Sequence, residues 1–261
     1  MGAELAWLAQ WANFKSSSTS AVFGDPKSAE FVAAAASADS LPRLHGLPEV
    51  CLLAGYPCSG NIAGLTDYFY FTTGRANVGK STLLNAVLGR KALVHTSKTA
   101  GRTRLLNFFR VGAAPGKLIL VDAPGYGSRG RREWGDLFEQ YLERRKELRR
   151  VYILFNAKHP LNNYDTQMLS YLSNTLISAR GTQLFTLQSI ITKADCIPST
   201  EVSPVIEKMR KEIWEAAPLC MPPIITSAAM SPVFGVEEVR ENIAEACRLL
   251  LLRPLKKPHP R

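Results

Sequence analysis

Nowhere in the 261 residues does an apolar run approach the roughly 20 residues that a helix needs to cross a bilayer, so stable membrane insertion is not expected. Cysteine is sparse: Cys51, Cys58, Cys196, Cys220 and Cys247 are scattered, odd in number and without C-x-x-C spacing. That pattern argues against a disulfide framework or a zinc site and for a reducing compartment. The four histidines (His45, His95, His159 and His259) stand apart without ligand spacing, so solvated or structural roles are expected for each. No internal repeat is present. Residues 1–44 are rich in Ala and Ser and poor in bulky aliphatics, which reads as a mobile extension outside the folded unit. Organelle-import segments share the Ser-rich composition, but this stretch has no Arg before Arg43 and carries Glu4, Asp25 and Glu30. Acidic residues are outnumbered, 22 against 32, leaving a net charge of +10. Such a balance favours an anionic partner, RNA or a membrane surface, although basic tails alone also produce it.

What is present is ordinary globular composition, 46% hydrophobic and 21% charged, consistent with one domain and extensions. From residue 74 onward strand-like and helix-like segments alternate. "STLLNAVLG" reads as a helix, "LLNFFRV" and "KLILVDA" as strands around the turn "GAAPG", and 133–149 as a polar, Arg-rich helix. "RVYILFNA", "FTLQSIIT" and "PPIITS" read as further strands, separated by helices around "YDTQMLSYLSNTLISA" and "SPVIEKMRKEIWEA", with a last helix over 236–252. Short Val/Ile/Leu-rich strands alternating with helices predict an α/β fold of three layers, a mostly parallel sheet covered by helices on both faces. Ligands of such sheets sit at the carboxyl ends of the strands.

Three motifs fall at those ends. "GRANVGKS" (Gly74, Arg75, Ala76, Asn77, Val78, Gly79, Lys80, Ser81) fits G-x-x-x-x-G-K-[ST], a loop whose backbone N–H groups wrap phosphate oxygens ahead of a helix N-terminus. Lys80 is expected to reach the β- and γ-phosphates and the Ser81 hydroxyl to ligate Mg2+. "DAPG" (Asp122, Ala123, Pro124, Gly125) ends an apolar strand, so that Asp122 can hold Mg2+ through water and the Gly125 N–H can meet the γ-phosphate. Asp before Pro-Gly is also ordinary turn chemistry. "TKAD" (Thr192, Lys193, Ala194, Asp195) supplies base selectivity: Asp195 can accept from guanine N1–H and the exocyclic amine, and the Lys193 stem can pack on the purine. Thr192 stands where most such proteins carry Asn.

These segments, with "SKTAGRTRLLNFF", "PGYG" and "EWGDLFEQYLERR", resemble the EngB-type (YihA/YsxC) GTPases of the TRAFAC class over roughly residues 45–252, with a tail at 253–261. The resemblance implies a P-loop G domain that binds GTP and GDP, acts as a monomer, and assists assembly of the large ribosomal subunit through ribosomal RNA or a subunit precursor. It makes Thr103 the switch threonine that joins Ser81 and Asp122 on Mg2+. It also lines the γ-phosphate with Gly101, Arg102, Arg104 and Leu105, and gives Ile225, Thr226, Ser227 and Ala228 to the guanine-side loop. Ala100 replaces the family's usual Pro, and "SAAMSP" departs from its usual polar run.

Tyr126 follows D-x-x-G where Ras-like enzymes place a water-positioning glutamine, so slow hydrolysis is expected. Asn77 matches the asparagine that potassium-activated relatives use to hold K+, which would stabilise developing charge; the alternative is that it only suits a tight loop. Lys80, Thr103 and Asn77 are the expected catalytic group. Arg129, Arg131 and Arg132 either contact ribosomal RNA in one nucleotide state or form a solvated face. Deleting residues 55–73 yields "LPEVCLLAGRANVGKST", the uninterrupted family pattern, and "LTDYFYFTTG" back-translates as a branch-point-like sequence, a pyrimidine-rich tract and a terminal CAG. These residues read as a translated intron of fungal length, against a lineage-specific insertion, with "PEVCLL" keeping the central-strand position. A eukaryotic source would place the protein in the mitochondrial matrix and a bacterial one in the cytoplasm. The rival activities are a GTP/GDP-regulated RNA-binding module with negligible hydrolysis, an ATP-using P-loop enzyme, which Asp195 argues against, and a chain whose insertion has inactivated the loop.

Overall fold

Alternating apolar side chains let one strand feed two cores. In "EVCLLA" every residue is buried, with Cys51 and Leu53 on one face and Val50, Leu52 and Ala54 on the other. The computed structural model describes residues 19–54, 78–94, 105–124, 132–178 and 185–249. Its elements, in chain order, are β1 (Glu30–Ala35), β2 (Glu49–Ala54), α1 (Lys80–Val87), β3 (Leu106–Val111), β4 (Leu118–Asp122), α2 (Arg132–Arg144), β5 (Leu148–Asn156), α3 (Asn163–Ser178), β6 (Thr186–Thr192), α4 (Ser199–Ala216), β7 (Cys220–Ile225) and α5 (Val236–Ala246).

The strands form one seven-stranded sheet in the order β1-β3-β4-β2-β5-β6-β7. Only β3 runs against the others: β1–β3 and β3–β4 pair antiparallel, and β4–β2, β2–β5, β5–β6 and β6–β7 pair parallel. α2, α3 and α4 pack on one face against Val121, Ile153 and Leu187. α1 and α5 cover the other with Leu120, Tyr152 and Ile190. The expected three-layer α/β architecture is the observed one, and "PEVCLL" holds the central place, with Leu52 beside Asp122 of β4 and Tyr152 of β5. Residues 55–73 lie outside the described residues.

Two expectations need correction. Residues 19–44 are not an extension. Residues 19–23 are helical, Val22, Phe23 and Ala29 are buried, and β1 completes the sheet beside β3. The Arg-rich helix stops at Arg144 and not at 149, because Leu148 is already buried in β5 opposite Glu49, and Arg145 turns inward to the same glutamate. Glu49 is wholly buried. It accepts from the Tyr141 hydroxyl at 3.0 Å and Arg145 Nε at 3.2 Å, while Arg145 Nη2 donates to the Pro42 carbonyl at 2.6 Å. Burial raises the Glu49 pKa, opposed by the Arg145 charge and the tyrosine hydrogen bond. Among the described residues, no helix is long and apolar enough to cross a membrane.

Candidate functional site

The carboxyl ends of β4, β2, β5, β6 and β7 form one rim, and α1 starts from it. Gly79 caps that helix at φ +93°, a left-handed conformation that glycine enters without a Cβ penalty. The first N–H groups of α1 are thereby aimed at the rim, an arrangement that receives phosphate oxygens. Lys80 lies directly against Asp122, the last residue of β4, and the side chains are only 12% and 4% exposed. Burial presses the Lys80 pKa down to about 7, whereas the carboxylate in contact with it favours the charged form. Ser81 follows on the first turn, half-buried. A hydroxyl at the helix start and a buried carboxylate at the end of β4 are the hard oxygen donors that suit Mg2+.

Thr192 closes β6, and its hydroxyl is shared between the carbonyls of Val78 and of Phe155, the latter at 3.0 Å. It therefore anchors the phosphate loop to the sheet. Lys193 takes φ +59°, and its stem crosses Gly79, where an ideal Cβ would sit 3.5 Å from Lys193 Cε. Burial lowers the Lys193 pKa, and nearby Lys158 adds to that, against the influence of Cys196 and Asp195.

Asp195 is exposed at the rim with its backbone fixed from behind: its N–H donates to Ser227 Oγ at 3.0 Å. The neighbouring Ala194 N–H donates to the Thr226 carbonyl at 3.3 Å, and the Thr226 N–H to the Ile191 carbonyl at 2.8 Å. Ser227 and Phe234 exchange backbone hydrogen bonds of 3.0 and 3.3 Å that close the intervening loop. Gly235 ends that loop at φ +72°, and a Cβ there would stand 2.0 Å from the Ile225 carbonyl oxygen. The turn carrying Asp195 and the loop after β7 are thus one cross-braced unit.

The structure brings together Val78, Gly79, Lys80, Asp122, Thr192, Lys193, Ala194, Asp195, Thr226 and Ser227. Ile225 ends β7 half-buried, Leu105 stands half-buried ahead of β3, Ala123 donates its N–H to the Leu52 carbonyl at 3.1 Å, and Pro124 is buried after it. Gly74, Arg75, Ala76, Asn77, Gly101, Arg102, Thr103, Arg104, Gly125, Tyr126, Arg129 and Arg131 lie outside the described residues, as does the side chain of Arg132. The sequence reading missed the Ser227 hydroxyl as a brace and the conformational demand at Gly235. The glycine immediately ahead of "VEEVRENIAEA" is the signal that was there to be read.

A family model described as 50S ribosome-binding GTPase matches residues 70–186. The probable GTP-binding protein EngB of Roseobacter denitrificans is 34% identical over 177 residues, 66% of this chain and 76% of that protein. Its counterpart from Rhodospirillum rubrum is 32% identical over 221 residues, 82% of each chain. Among solved structures, Toc33 from Arabidopsis thaliana in complex with GDP and Mg2+ matches at a TM-score of 0.53 and 13% identity, over 77% of this chain and 84% of that one, a likeness of fold. With its motifs on one rim and relatives of this identity aligned along most of their length, the chain belongs to the EngB family of GTP-binding proteins and is a GTPase.

Proposed function

We propose that this protein binds GTP with Mg2+, hydrolyses it slowly as a monomer, and serves assembly of the large ribosomal subunit in the mitochondrial matrix. The observation that carries the guanine assignment is Asp195, exposed at the rim with its main chain held by Ser227. Two acceptor oxygens so placed match the paired donors of guanine, which adenine does not offer. The ribosomal role draws on the description of the matching family, and the mitochondrial one on the intron-like text of residues 55–73.

In this reading Lys80 exchanges the Asp122 carboxylate for β- and γ-phosphate oxygens, and Asp122, Ser81 and Thr103 hold Mg2+. The metal, when bound, offsets charge on the phosphates. The N–H groups at the start of α1 would orient the phosphates, and Asn77 would hold K+, whose charge would offset the charge that develops on them. Tyr126, standing where Ras-like enzymes carry glutamine, favours a second reading: a GTP/GDP-regulated RNA-binding module with negligible hydrolysis.

Single-turnover GTP hydrolysis, with and without large ribosomal particles and in potassium against sodium at constant ionic strength, separates the readings. Slow turnover that rises with particles and with potassium is the expected result. The salt comparison is made in the variant lacking residues 55–73, where equal rates in both salts remove the Asn77 assignment. Absence of turnover in every arm from a variant that binds GTP favours the non-hydrolysing module.

A further inference from the structure

The floor of the sheet, at the amino ends of its parallel strands and opposite the nucleotide rim, gathers cations that the nucleotide site does not use. The segment ahead of β2 brings Arg43, the β3–β4 turn brings Lys117, the end of α2 brings Arg144, the α2–β5 connection brings Lys146, and the start of β5 brings Arg149. These pieces are held against one another. Arg145 Nη2 donates to the Pro42 carbonyl at 2.6 Å, the Glu49 N–H to the Glu147 carbonyl at 2.8 Å, and the Ile119 N–H to the Pro48 carbonyl at 2.9 Å. The end of α5 adds Arg248, next to Cys247, whose thiol feels the Arg149 and Arg150 charges. All six side chains are exposed, and among the described residues none takes part in an ion pair. Glu143, Glu147 and Glu245 are carboxylates interleaved with them.

The contrast with α4 shows that this is not a generic solvated face. There Lys208, Arg210 and Lys211 each meet a glutamate, Glu212, Glu207 and Glu215, at 3.9, 2.8 and 3.8 Å. On the floor, among the described residues, no carboxylate meets these cations at ion-pair distance, an arrangement that costs self-repulsion unless an anion answers it. Four of the six are arginines, whose planar fork gives two parallel hydrogen bonds to phosphodiester oxygens. A membrane surface would need apolar side chains to insert beside the charge; among the described residues the exposed Ile177, Trp214 and Leu219 lie at the same end of the sheet, but on α3, α4 and the connection into β7 and not in the segments that carry these cations.

We propose that this floor binds the phosphodiester backbone of RNA while the opposite rim holds the nucleotide. The assignment rests on the reading of an RNA-bearing assembly as the partner. It is tested with the full chain, a short unstructured RNA oligonucleotide, a short RNA duplex, and phosphatidylserine–phosphatidylcholine vesicles. The triple variant Arg43→Glu/Lys146→Glu/Arg149→Glu is compared with wild type and with Lys256→Glu/Lys257→Glu in the tail, with fluorescent GDP binding reporting an intact fold. Each lost phosphate contact removes about 0.7–0.9 from the slope of log K against log salt, so the triple variant should lose about 2 from the slope and bind RNA on the order of tenfold to a hundredfold more weakly. The tail variant should keep most of the slope, and GDP affinity should not change. If the triple variant loses GDP binding, the milder Arg43→Gln/Lys117→Gln/Lys146→Gln replaces it and the same slope loss is required. An unchanged slope, a slope lost only with the tail, or binding to vesicles without RNA overturns the proposal. Binding of RNA oligonucleotides without ribosomal particles would leave the floor assigned and remove the ribosomal reading. Equal binding of particles by wild type and triple variant would do the reverse.

Discussion

At the scale of single residues, the candidate nucleotide site depends on hydrogen bonds made behind it. Asp195 presents its carboxylate only because Ser227 holds its N–H and Thr226 holds that of Ala194. Asp195→Asn should weaken GTP binding and admit xanthosine triphosphate, whose base offers the complementary acceptor. Competition titrations check this, and unchanged GTP affinity with equal competition by ATP would remove the guanine role. Gly235→Ala strikes the brace from behind. A Cβ there would stand 2.0 Å from the Ile225 carbonyl, and the φ of +72° is strained for alanine in any case. Backbone strain of this kind costs on the order of 1–3 kcal/mol, so the variant should unfold earlier in urea and bind GTP more weakly. Wild-type affinity in that variant would mean the loop after β7 contributes nothing to the base site. These braces link positions far apart in the chain, and the motif text announces only the residues at the strand ends. That is why "TKAD" was legible and its dependence on Ser227 and Gly235 was not.

Among the elements, α2 and β2 are tied by the most expensive contact in the fold. Glu49 is fully buried, and its charge is answered by Arg145, which itself lies 5.7 Å over the Phe108 ring. Removing the side chain strands Arg145 and the Tyr141 hydroxyl and leaves a buried gap, so Glu49→Ala should cost about 3 kcal/mol at neutral pH. The sign of its pH dependence follows from the raised pKa. Between the ordinary 4.5 and the folded value the native state binds the extra proton, so wild-type stability falls as pH rises through that window. The gap between wild type and Glu49→Ala should therefore narrow with rising pH and then stay constant. Denaturant titrations across the range test it, and a gap that widens contradicts the assignment. A glutamate opening an otherwise apolar strand was the visible trace of this pair in "PEVCLLA"; the partner, 96 residues on, was not visible. The strands β2 to β7 were legible because buried parallel strands are nearly continuous apolar text. β1 was not: of "EFVAAA" only Ala35 is buried, and the strand is held by the ladder to β3. Edge strands owe their place to a partner more than to their own side chains.

For the molecule as a whole, the stretch joining β2 to α1 decides whether the rim is complete. Ala54 and Val78 belong to the same buried cluster, and lengthening a loop whose ends can meet costs only about 0.6 kcal/mol per doubling. Removing residues 55–73 leaves Gly74 to Asn77 to make the link, the spacing that the phosphate-binding motif requires. That variant should keep the fold and bind GTP at least tenfold more tightly than the full chain, as measured by fluorescent-nucleotide titration. Equal affinities would show that the added segment is tolerated as it stands, and finding its codons in mature translated message would discard the intron reading. β2 also lies at the centre of the sheet while preceding both of its neighbours in the chain. As the polypeptide leaves the ribosome, β2 emerges with neither neighbouring strand to pair with until β4 (Leu118–Asp122) and then β5 (Leu148–Asn156) follow, a delay of roughly 3–20 s at ordinary rates of synthesis. Throughout that interval a largely apolar segment is uncovered, and the turn that carries Asp195 and its brace, being C-terminal to it, come later still. Nucleotide is thus a late arrival in biogenesis: it can lock a chain that has already closed around β2, but it cannot shelter that strand while the strand waits.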